Sequence, residues 1–212
     1  MRIIAASITA LYLVLGTTVS LWAGESTLSP QAQELKSLLT SLKERPHDKS
    51  IQMQYLEKFP KDIGAFRYLF DQSDFSELYL DSEEYISSLY GIEQDQPDTV
   101  GKILVGLSKD APQGADALSS LQGVTAQYAV KHTATFAKLL HSHTESDRSN
   151  LIKYLADVEN YNFYPEYQHI ITNLRKIGET NLAQQFEAAR SKRMKQKGHG
   201  ELRDEPSMPG GV

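Results

Sequence analysis

Cysteine is absent from all 212 positions of the chain. That excludes a disulfide framework, thiol-ligated zinc or iron–sulfur centres, a cysteine nucleophile and lipid attachment through a thiol. Tryptophan occurs once, at Trp22. Runs of strict apolar–polar alternation rich in Val, Ile and Thr are missing, which argues against a β-sandwich or barrel. Three catalytic signatures are missing as well: the G-x-S-x-G elbow, the H-E-x-x-H helix and the Walker glycine loop. The last shortage is of positive charge, since no Lys or Arg stands between Arg67 and Lys102.

What remains is 40% hydrophobic and 9% aromatic, enough for one packed core, with 27 acidic against 22 basic residues and a formal charge of −5. The N-terminus reads as an address. Met1-Arg2 leads into an apolar stretch from Ile3 to Val19 that closes on Ser20-Leu21-Trp22-Ala23, the pattern of a secretory signal peptide cleaved after a small residue. Cleavage near Gly24 is expected to remove Arg2 and the sole tryptophan, leaving a more acidic chain with no stable membrane insertion. An exported domain that stabilises itself without cross-links fits the bacterial periplasm. The expected organisation is a signal peptide over 1–23, a helical domain over 24–197 and a disordered tail over 198–212, where glycine, proline and charge replace apolar periodicity.

Helical signals recur throughout the middle of the chain. Ser29-Pro30 reads as an N-cap followed by proline in the first turn, and Leu35, Leu38, Leu39 and Leu42 then recur at helical spacing until Pro46. Asp48 is placed to cap a second segment, Asp81 a fourth that runs to Gly91, and Ser146 a later one. Gly101 and Gly106 weaken their segment as a free helix. Asp110-Ala111-Pro112 reads as the start of the next element, and Val124 to His143 as the longest periodic run. The expectation is an all-α fold of eight to nine helices, an irregular multi-helix bundle or stacked helical hairpins. The stretch Tyr55-Leu56-Glu57-Lys58-Phe59-Pro60, followed by Phe66, Phe70, Leu78-Tyr79 and Tyr85-Ile86, resembles a pattern in uncharacterised helical bacterial proteins over about residues 55–90. The resemblance implies a helical fold and no activity.

The histidines do not suggest a metal centre. His141 and His143 stand about 200° apart around an unbroken helix and cannot share an ion there. A loop site with Glu145 and Asp147 requires the helix to end near His141. No cofactor or metal is expected, and acidity together with export argues against nucleic acid. Glu83 and Glu84 point about 100° apart, as residues of a solvated helix face do.

The strongest asymmetry is electrostatic. Nine carboxylates crowd the gap between Arg67 and Lys102, interleaved with Phe70, Phe75, Tyr79, Tyr85 and Tyr90. A single-sign field speeds encounter with an oppositely charged partner, and aromatic rings anchor interfaces. The rings also suit a core at i, i+4 spacing, so the segment is either a docking surface or a solvated face over packed aromatics. The candidate binding residues are Asp71, Asp74, Glu77, Tyr79, Asp81 and Glu84. A second aromatic group, Tyr161, Phe163, Tyr164 and Tyr167, surrounds a turn. The basic run from Arg190 to Lys197 complements the negative end of a helix dipole. The expected function is an exported, non-enzymatic protein-binding protein, in its sharpest form an immunity or inhibitor protein that engages a basic partner. The alternative is a periplasmic hydrolase acting on cell-wall glycan or peptide through a carboxylate pair.

Overall fold

The computed structural model describes residues 28–71, 77–112, 116–157 and 164–196. The expected leader, the expected tail, Asp74, Phe75 and residues 161–163 lie outside them. The described residues are all-α and form ten helices: α1 (Pro30–Glu44), α2 (Lys49–Lys58), α3 (Ile63–Phe70), α4 (Ser82–Ile92), α5 (Pro97–Ser108), α6 (Ala117–Lys131), α7 (Thr133–Ser142), α8 (Glu145–Leu155), α9 (Tyr164–Lys176) and α10 (Thr180–Gln196). None of them is long and apolar enough to cross a membrane.

Side-chain capping explains four of the ten helix starts, those of α1, α2, α3 and α8. The Ser29 hydroxyl accepts from the Ala32 amide ahead of Pro30, and the Asp48 carboxylate accepts from Ser50 and Ile51. Asp62 serves α3 through the Ala65 amide. Other boundaries differ from expectation. Thr144, not Ser146, caps α8 by accepting from the Asp147 amide. Asp81 stands at the N-cap position of α4 without a side-chain cap bond, and α4 continues through Gly91 to Ile92. The helix after Pro112 starts only at Ala117, preceded by Asp116 at φ 53°.

The largest difference is that the Val124–His143 run breaks at His132, its first part belonging to α6 and its second forming α7. His132 leaves helical geometry at φ −116° and ψ 41°. Beside it the Thr133 hydroxyl bonds back to the carbonyls of Ala129 and Val130, a competition with the helix ladder that bends helices at Ser and Thr. Apolar spacing is the same on both sides of the break, so periodicity does not register it.

Helix α6 is the axis of the bundle. It packs against α4, α5, α7, α8 and α9, and burial of its surface reaches the polar residues Gln122 and Thr125. Both are satisfied: Gln122 donates to the carbonyls of Tyr154 and Asp157, and Thr125 bonds to Leu121 and Ser108. An aromatic core of Tyr55, Phe59, Phe66, Phe70 and Tyr85, with centroids 5.2 to 6.5 Å apart, joins α2, α3 and α4. Phe70 and Tyr85 of the acidic segment are therefore core, whereas Tyr90 is 42% exposed.

Four tyrosines fasten helices together by donating to main-chain carbonyls elsewhere in the bundle: Tyr55 to Tyr85, Tyr128 to Pro97, Tyr154 to Leu118 and Tyr167 to Phe186. Burial pushes all four phenols well above their ordinary range. The neutral phenol is the form the fold holds, so stability is intact below about pH 10 and falls as pH climbs above the free phenol's value. In an alkaline titration followed by phenolate absorbance, these four should ionise only with the cooperative loss of helix. Ionisation of all described tyrosines before helix is lost would show that the four rings are wet.

Candidate functional site

Several of the acids that sequence places side by side are separated and compensated by the fold. Asp71 is the C-cap of α3 and accepts from Arg67 Nε at 2.6 Å. Glu77 accepts from the Ser29 amide at 2.8 Å and its hydroxyl at 2.5 Å, which puts a carboxylate at the positive end of α1. Tyr79 donates to Asp116 at 3.0 Å, and that carboxylate raises the phenol above its usual range. Glu84 meets Lys43 at 2.5 Å. Glu93 is wholly buried and accepts from Lys131 at 2.7 Å. Of the candidate binding residues, Glu77 thus reads as a helix tie and Asp71 as an i, i+4 pair. Asp81 is exposed without an ion pair among the described residues.

Glu84 lines a groove of about 320 Å³ between α1 and α4. Leu39 and Leu42 of α1 and Ile92 of α4 form its apolar floor, with Pro46 from the α1–α2 turn. Ser88 and Gly91 line the α4 wall at i+4 and i+7 from Glu84, and Asp81 lies one turn before Glu84 on the same stripe. Lys43 spans the gap as the counterion of Glu84. Gly91 keeps the wall low, since a Cβ built there meets nothing within 4 Å.

One end of the groove is rigid. Gln52, fully buried on α2, donates to the Pro46 carbonyl at 2.7 Å and to Asp95 at 2.8 Å, fixing the α1–α2 turn to the turn before α5. The bond from Gln52, with His47 at 3.5 Å from the same carboxylate, holds the Asp95 carboxyl below its ordinary range. His47 itself is exposed and lines the groove. Sequence periodicity identified Leu39 and Leu42 as core and Gly91 as a stop. It contained no signal that the two helices meet along an incompletely filled seam.

A second polar cluster escaped sequence reasoning altogether. Around Glu93 stand Lys131, His132 with Nε2 at 3.9 Å, and Tyr128, whose ring centre is 5.0 Å from that of His132. Lys131 also lies 5.0 Å from the centre of the Tyr90 ring. Glu93 Oε2 is buried without a hydrogen-bond partner.

Among the described residues no three His, Asp or Glu side chains gather as metal ligands. Helix α7 does end at Ser142, but His141 turns to Glu179 at 2.9 Å. No family model, curated protein or solved structure matches the chain.

Proposed function

We propose that the chain is an exported, non-enzymatic binding protein of the periplasm, and that the α1–α4 groove receives a segment of a basic protein partner. An immunity or inhibitor protein directed against a toxin is the sharpest form of this reading. The observation that carries it is the groove itself. Its apolar floor is ready to take an anchor side chain, Glu84 lines it, and Asp81 precedes Glu84 by one turn. An incoming Lys or Arg can replace Lys43 on the Glu84 carboxylate, a surface exchange that costs little because both partners are about half-exposed. A hydrolase of cell-wall glycan or peptide needs two converging carboxylates, and this groove is lined by one, Glu84.

Two variants test the reading. Asp81→Asn with Glu84→Gln should slow capture of a basic partner from periplasmic extract several-fold and flatten its salt dependence. Gly91→Leu should block the groove while leaving the melting temperature unchanged or slightly raised, because leucine is the better helix former and meets open space. Unaltered capture by both variants overturns the proposal. Release of reducing ends from purified peptidoglycan by the parent, lost in Glu84→Gln, would establish the hydrolase instead.

A further inference from the structure

A larger groove of about 570 Å³ lies on another part of the bundle, between α8 and α10. Each helix lines it with one face. Ser149, Ile152 and Lys153 recur along α8, and Ala188, Ala189 and Lys192 along α10. The small residues Ser149, Ala188 and Ala189 leave the space that larger side chains would fill. Arg193 of α10 forms a two-nitrogen contact with Asp157 just beyond α8, at 2.8 and 2.9 Å, so the C-terminal ends of both helices lie together.

Charge is unevenly distributed along this groove. Lys153, Lys192 and the fixed Arg193 stand toward the shared C-terminal end. Its carboxylate, Glu145, opens α8 and is eight residues from Lys153, about 12 Å along the helix. Lys153 and Lys192 make no ion pair among the described residues. Eight other Lys and Arg of the described residues do, Arg193 among them, and several lysines such as Lys36 and Lys102 do not; Lys153 and Lys192 differ from those in lining the same cavity. Two uncommitted ammonium groups therefore line one cavity beside a guanidinium that a buried carboxylate orients.

We propose that the α8–α10 groove binds a phosphate monoester carried on a short apolar body. The doubly charged head suits two lysines, which act as point charges toward phosphate. The body lies on Ile152, Ala188 and Ala189 and on the methylene stems of the lysines. The volume falls within the range of small-molecule sites. The competing account is that the lysines only complement the carbonyl ends of two helices, which predicts no ligand at all.

Calorimetric titration of the full chain with hexyl phosphate, inorganic phosphate and hexyltrimethylammonium separates these accounts. Hexyl phosphate should bind saturably and at least about tenfold more tightly than inorganic phosphate, and the cation should not bind. Lys153→Met with Lys192→Met should weaken hexyl phosphate at least about tenfold while the melting temperature and helical signal stay put. Ala188→Leu should erase the advantage of hexyl phosphate over inorganic phosphate by filling the floor. Phosphatidylcholine vesicles with and without phosphatidic acid identify the source of the head. Sedimentation with the acidic vesicles, reversed by hexyl phosphate, assigns a lipid, and binding of hexyl phosphate without sedimentation assigns a soluble ligand. Equal binding of hexyl phosphate and the hexyl cation, no binding of either, or an unaffected double variant overturns the proposal. None of these outcomes depends on the α1–α4 groove.

Discussion

Replacing Gly101 by alanine should destabilise the protein, although intrinsic helix propensity alone favours alanine by about 1 kcal/mol. Gly101 is inside α5 and fully buried. A Cβ there would overlap the Tyr128 hydroxyl, stand 2.5 Å from its Cζ and come within 3.0 Å of Leu139 Cδ1. The ring cannot easily yield, because the hydroxyl donates to the Pro97 carbonyl at 3.0 Å and the side chain is packed between α5 and His132. Overpacking of this kind costs about 1–3 kcal/mol, and the rigidity of a phenol places the effect at the upper end. The expected net loss is about 2 kcal/mol, a fall in Tm of about 4–8 °C for a domain of this size.

A double-mutant cycle identifies the cause of that loss. Tyr128→Ala is costly by itself, since it empties a core site and frees the Pro97 carbonyl. On that background Gly101→Ala should be neutral or stabilising, because the clash has gone and only propensity and the Leu139 contact remain. If Gly101→Ala raises Tm in the parent, α5 and α6 do not approach as closely as described.

The same glycine shows how far sequence reaches. Read along the chain, Gly101 only weakens a helix. Its reason lies in Tyr128, 27 residues away. Features whose cause is local were legible: Ser29-Pro30 and Asp48 start helices as their side chains dictate, and Phe66 and Phe70 pack at i, i+4. Features decided by the neighbouring helix were not. Lys43 and Glu84 meet only because α1 lies beside α4, and four of the nine carboxylates counted as one acidic field divide among α1, Lys43, Arg67 and Lys131. Apolar periodicity reports which face of a helix is buried and not which helix covers it. For that reason Glu84 could be named as a candidate while the groove it lines could not. The break at His132 belongs to the same class, being caused by a hydroxyl that competes for main-chain carbonyls without disturbing the apolar pattern.

Removal of the Lys131 ammonium should have the larger effect on stability. Glu93 has 0% exposure, and its carboxylate relies on Lys131 at 2.7 Å, with His132 Nε2 farther off at 3.9 Å. Oε2 has no hydrogen-bond partner. Glu93 in turn holds the Lys131 ammonium above its ordinary range. Deleting one partner of a fully buried pair costs about 3–5 kcal/mol because the other charge is left in a poor solvent. Lys131 is 38% exposed, so water relieves part of that cost, and Lys131→Ala is expected to lose about 2–4 kcal/mol, with Tm falling by about 5–12 °C. Glu93→Gln, which removes the buried charge and keeps the shape, should cost less. Glu93→Gln combined with Lys131→Met should recover most of the loss, since a matched neutral pair leaves no stranded ion. Chemical denaturation of the four proteins at one pH measures the coupling. If Lys131→Ala lies within about 0.5 kcal/mol of the parent, the range of an ordinary surface substitution, water reaches Glu93 in solution and the α4–α6 junction is looser than its packing implies.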